Sequence, residues 1–118
     1  MKSYRELRVW QKALDLVEKI YLLTQRFPRE ETYGLTSQIR RAVVSVPSNI
    51  AEGHTRHHIK EYLHHLSISP ASLAELETQL EIASRLRYIQ PGQLKELLID
   101  TSSLGKQLYS LRNSLTRS

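Results

Sequence analysis

At 118 residues, 40% hydrophobic and 25% charged, the chain has the length and composition of one globular domain, expected to span residues 1–118. No apolar run approaches the ~18 residues of a membrane span. The N-terminus lacks the apolar core of a secretory leader, and the absence of cysteine rules out disulfides, thiolate nucleophiles and cysteine–zinc sites. Seventeen Lys and Arg against twelve Asp and Glu leave a net charge of +5, and a cytoplasmic, non-membrane protein with a surface suited to polyanions is expected.

Apolar residues recur at helical spacing almost throughout. Ser3 and Glu6 stand in S-x-x-E spacing, a candidate capping box for the first helix. Two rows follow: Leu7, Trp10, Leu14, Val17, Tyr21 and Thr24, and beside them Val9, Ala13, Leu16, Ile20, Leu23 and Phe27. Together they make a stripe wider than a two-helix seam needs. Phe27-Pro28 ends the helix, because the residue before proline avoids the α region.

A second helix begins near Tyr33-Gly34-Leu35, with Leu35, Ile39, Ala42, Val46, Ile50 and Gly53 on one face. Pro47 lies within it, and the apolar phase runs through, so a kinked helix is expected and a break is the alternative. A third segment carries Ile59, Tyr62, Leu66, Leu73, Leu76, Leu80, Ala83 and Leu86, with Pro70 midway. One bent helix is expected there, with two shorter ones as the alternative. Pro91 opens a fourth helix bearing Leu94, Leu97, Leu98, Thr101, Leu104, Leu108, Leu111 and Leu115. The expected connections, 28–33, 54–57 and 89–91, are short, and short connections force antiparallel neighbours. The expected fold is an all-α, up-down-up-down antiparallel four-helix bundle.

Catalytic chemistry is not indicated, and no enzyme is expected. Gly34, Gly53, Gly92 and Gly105 stand apart, so no glycine-rich loop cradles a phosphate. Glu77 and Glu81 are one turn apart, but Arg85 follows Glu81 at i+4 and the group reads as a solvated surface pair. All five histidines, His54, His57, His58, His64 and His65, fall within twelve residues. Glu61-x-x-His64 has di-iron spacing, but such a site needs a second Glu-x-x-His from another helix. The chain has no His outside the cluster, so no metal and no cofactor is expected.

On helix two, Arg41, Ser45, Ser48 and Glu52 form a row away from the Leu35-Ile39-Ile50 stripe at ~100° per residue. Small polar residues between a cation and an anion permit another helix to approach closely. With the wide stripe of helix one, this points to a second buried surface and to self-association.

Several segments are familiar in order: Leu7-x-Val9-Trp10-Gln11-x-Ala13, Phe27-Pro28-x-x-Glu31-x-Tyr33-Gly34-Leu35 and Gln38-Ile39-Arg40-Arg41-Ala42. Ser45-Val46-Pro47-Ser48-Asn49-Ile50-Ala51-Glu52-Gly53 and Ser72-Leu73-x-Glu75-x-Glu77-x-Gln79-Leu80 continue the series. Over nearly its whole length the chain resembles the four-helix bundle proteins encoded by intervening sequences of bacterial large-subunit ribosomal RNA genes. Ser69-Pro70 departs from the small residues or glycine usual in that family. The resemblance implies an antiparallel bundle, commonly a ring-shaped homopentamer, without known enzymatic activity. Related accessory proteins of diversity-generating retroelements form basic rings that engage nucleic acid and a reverse transcriptase.

The expected function is therefore a non-enzymatic homo-oligomer, a pentamer, that associates with RNA or single-stranded DNA through a basic surface. The alternative is an oligomeric scaffold for a protein partner. Arg40, Arg56, Lys60, Arg112 and Arg117 are the candidate phosphate contacts. Arg41, Ser45, Ser48, Asn49 and Glu52 are the candidate subunit contacts, with Asn49 and Glu52 also candidates for a polar network near the Val43 carbonyl, which Pro47 leaves without its helical donor. No aromatic platform for base stacking is expected, because Tyr62 belongs to the apolar row.

Overall fold

Four helices carry the chain in the structure, a computed structural model that describes residues 3–117. They are α1 (Arg8–Thr24), α2 (Leu35–His54), α3 (Ile59–Arg85) and α4 (Pro91–Thr116), with 3₁₀ turns at Tyr4–Glu6 and Arg29–Glu31. The described residues contain no strand. Each helix packs on the next in sequence and α4 closes against α1, its loosest neighbour. Across α2 and α3, Ser45 meets Ser72, Val46 meets Ser69 and Asn49 meets His65, so one number falls as the other rises: the pair is antiparallel. The bundle is an elongated body of 47 × 24 × 20 Å.

Helix α1 begins later than its capping signal. Ser3 Oγ accepts from the Arg5 N–H at 3.1 Å and caps the Tyr4–Glu6 turn rather than α1. That turn is tied to α1 by an edge-on contact of Tyr4 with Trp10, at 5.2 Å between centroids. The two rows of α1 then part company. Val9, Ala13, Leu16 and Ile20 are buried, and Phe27 joins them from the following turn. In the other row Trp10 and Val17 are half-buried, whereas Leu14 and Tyr21 are exposed at 37% and 38%.

Both internal prolines are accommodated without a break. Helix α2 runs through Pro47, which is buried, and α3 runs through Pro70, which is exposed. A proline removes one donor and crowds the preceding turn; the apolar contacts on either side outweigh that local cost. Ile39, Val43, Val46 and Ile50 of α2 and Leu66, Leu76, Leu80 and Ala83 of α3 are almost wholly inaccessible to solvent. The connections are 25–34, 55–58 and 86–90, the first longer than expected because α1 stops at Thr24. At the start of α4, Gln93 Oε1 accepts from the Gln90 N–H at 2.9 Å, and Pro91 occupies the first turn.

Glycine is required at one close crossing. A Cβ on Gly53 would lie 2.8 Å from His65 Cβ and 2.9 Å from Tyr62 Cδ1. The end of α2 can approach α3 this closely only with no side chain there. By contrast, a Cβ on Gly105, in the interior of α4, would meet nothing within 4 Å.

Candidate functional site

The α2–α3 seam holds a connected polar network. Asn49 Nδ2 donates to the Ser45 carbonyl at 2.9 Å and to Ser45 Oγ at 3.0 Å, and Ser72 Oγ bonds to Ser45 Oγ at 2.9 Å. One turn along, Ser69 Oγ donates to the Val46 carbonyl at 3.0 Å. With its nitrogen on two acceptors, the Asn49 amide turns its oxygen to His65 Nδ1, 2.9 Å away. An amide oxygen only accepts, so His65 carries its proton on Nδ1. Glu52 Oε2 stands 3.6 Å from the same nitrogen, with its side chain 59% exposed.

The candidate subunit residues therefore separate. Ser45 and Asn49 are already engaged inside the chain, and it is the chain's own α3 that Ser45 admits. Arg41, Ser48 and Glu52 remain exposed. Asn49 serves the Ser45 carbonyl rather than that of Val43. Residue spacing alone does not reveal this, because the choice of acceptor depends on where α3 lies.

Arg40 likewise has a structural task. Its Nε donates to Thr24 Oγ1 at 2.9 Å, Nη2 reaches the Tyr21 carbonyl at 3.4 Å, and the guanidinium lies over the Tyr21 ring at 4.4 Å. It binds the end of α1 to the start of α2. Nearby, Glu31 Oε1 accepts from the Leu35 N–H at 3.0 Å, and Oε2 accepts from the Tyr88 hydroxyl at 2.9 Å. One carboxylate thus caps α2 and holds the α3–α4 turn. The bond to Glu31, aided by burial, raises the Tyr88 pKa. The expected Glu81–Arg85 pair is not formed; the ion pair among the described residues is Lys19 with Asp100, at 2.8 Å.

The other four cations gather at one end. Arg56 lies in the α2–α3 turn, Lys60 in the first turn of α3, and Arg112 and Arg117 at the end of α4, all exposed. The half of the bundle built from residues 3–13, 47–66 and 105–117 has eight Lys and Arg against three Glu, a net +5. The other half, residues 14–46 and 67–104, has eight cations against nine anions, a net −1. Lys2, outside the described residues, completes the chain's +5. The positive charge is therefore segregated along the bundle axis.

All five histidines also lie in the basic half. His65 is in the seam, and His54 packs edge-on against Tyr62 at 5.7 Å. No group of three or more metal-ligating side chains comes together among the described residues. A shallow groove between α1 and α4 in the same half is lined by Arg8, Val9, Lys106, Gln107, Ser110 and Leu111. Sequence reading missed Arg8 and Lys106 as members of this end, because only the pairing of α1 with α4 brings them together.

The family described as 23S rRNA-intervening sequence protein matches residues 5–110. A similar solved structure is that of a protein of unknown function from the S23 ribosomal protein family of Bacteroides thetaiotaomicron VPI-5482. It is 24% identical, covers 89% of this chain and 95% of its own, and superposes with a TM-score of 0.81. At that identity the likeness concerns the fold. None of the curated proteins matches the chain. With the family match extending over most of its length, the chain belongs to the 23S rRNA-intervening sequence protein family.

Proposed function

We propose that the protein is a non-catalytic homo-oligomer, a pentameric ring, that holds RNA or single-stranded DNA in the cytoplasm by its phosphates. The observation that carries this reading is the axial segregation of charge: a net +5 at one end and −1 at the other. A polyanion is drawn to a concentrated field more strongly than to the same charge spread evenly. In a cyclic ring whose bundle axes run along the symmetry axis all basic ends face one side, and five protomers would bring 5 × 5 = +25 to that rim. The exposed row Arg41, Ser48 and Glu52 and the half-covered row of Trp10, Leu14, Val17 and Tyr21 supply surface for the subunit contacts.

Phosphate contacts release counterions, so affinity falls with salt at roughly −0.7 in log–log slope per contact on a single strand. An anisotropy titration of a labelled oligonucleotide, from low to near-physiological salt, tests the proposal. Arg56→Ala, Lys60→Ala and Arg112→Ala, at the basic end, should each weaken binding and make the slope shallower. Arg29→Ala and Arg85→Ala, at the other end, should do neither. Absence of binding at low salt with the oligomer intact, shown by light scattering, would replace this reading with that of a protein scaffold.

A further inference from the structure

We infer that Tyr109 is a stacking platform for one unpaired nucleobase, so that the basic end discriminates single-stranded from duplex nucleic acid. This rests on the proposed phosphate-binding role of that end and adds a base contact to it.

The six tyrosines are not equivalent. Tyr4 packs on Trp10, Tyr21 lies under Arg40, Tyr62 packs on His54, and Tyr88 stacks on Phe27 and bonds to Glu31. Tyr33 and Tyr109 have no aromatic or cation–π partner among the described residues and are exposed at 96% and 67%. Tyr33 precedes α2, in the half with net −1. Tyr109 is on α4 in the half with net +5, with Lys106 three residues before it and Arg112 three residues after.

Residues three apart on a helix are surface neighbours, so the ring lies between two cations on one face. Lys106 and Arg112 are six residues apart, about 9 Å along the helix axis. They can engage phosphates on either side of a nucleotide whose base lies on the ring. Lys106 also lines the α1–α4 groove with Arg8, which gives the strand a basic path beyond the stacked base. A base inside a duplex already has neighbours on both faces and cannot be offered to the ring; an unpaired base can. An aromatic face accepts every base, so the contact favours single strands without reading sequence.

The test compares a labelled 12-nucleotide single strand with a duplex of the same length by anisotropy at fixed low salt. Tyr109→Ala should weaken single-strand binding on the order of tenfold, leave the duplex unchanged and keep the salt slope of wild type. Tyr109→Phe should bind like wild type. The side chain is largely in water, so both variants should melt like wild type, as circular dichroism would show. If Tyr109→Ala binds the single strand within twofold of wild type, or Tyr109→Phe loses as much as Tyr109→Ala, stacking is refuted and phosphate binding stands. If wild type binds neither oligonucleotide, both readings fall together.

Discussion

At the scale of single residues, small groups decide how closely α2 and α3 pack. Gly53 cannot acquire a methyl group without moving the main part of His65 or Tyr62, neither of which is a flexible side-chain tip. Gly53→Ala should therefore destabilise the chain by about 1–3 kcal/mol, the usual cost of overpacking. Gly105→Ala meets open space and should instead stabilise it by roughly 0.5–1 kcal/mol through the lower entropy of alanine in a helix. Denaturant melts of the two variants would establish the opposite signs. Asn49 and Glu52, neighbours in the same motif, should also differ. Asn49→Ala leaves the Ser45 hydroxyl, Ser45 carbonyl and His65 without a shared partner, at a cost on the order of 1–3 kcal/mol. Glu52→Ala removes an exposed carboxylate and should change stability by less than about 0.5 kcal/mol. Equal melting of these two variants would refute the network as a source of stability.

At the scale of elements, the four helices were legible because their apolar residues keep one phase through Pro47 and Pro70. The breaks that proline alone would predict do not occur. The helix ends were less legible. The end of α3 closes with Arg87 N–H donating to the Ser84 carbonyl and Tyr88 N–H to the Ala83 carbonyl, both at 2.9 Å. This Schellman closure requires a left-handed residue, and Arg87 takes it at φ 67°. Glycine normally marks such a position, and without one the sequence placed the connection at 89–91 rather than 86–90. Arg87→Gly relieves a cost of about 1–2 kcal/mol for an L-residue in this region and returns part of it as chain entropy. A net stabilisation of about 0.5–1 kcal/mol is expected, and a lower melting temperature would contradict it.

At the scale of the whole molecule, the total charge was legible but its arrangement was not. The cations of the basic half come from three separate stretches, residues 5–12, 56–60 and 106–117. Only the antiparallel course of the helices brings these stretches to one end. The same long-range placement accounts for Arg40. It reads as a free cation in sequence, but it lies in the other half and is held by Thr24 and Tyr21. Local period reveals which faces are covered; the neighbours of an exposed charge depend on the topology.

The separation of +5 from −1 along a body 47 Å long also makes the protein an oriented object. A chain of the same composition with evenly mixed charge would meet an anionic surface in any pose. This one has a permanent axial dipole and should stand on end, with the Tyr4–Glu6 turn, the α2–α3 turn and the end of α4 against the surface and the Tyr33 loop pointing away. In a cyclic assembly with the bundle axes along the symmetry axis, the individual dipoles point the same way and add. Such a ring has a front and a back: two fronts repel, whereas a front and a back can stack.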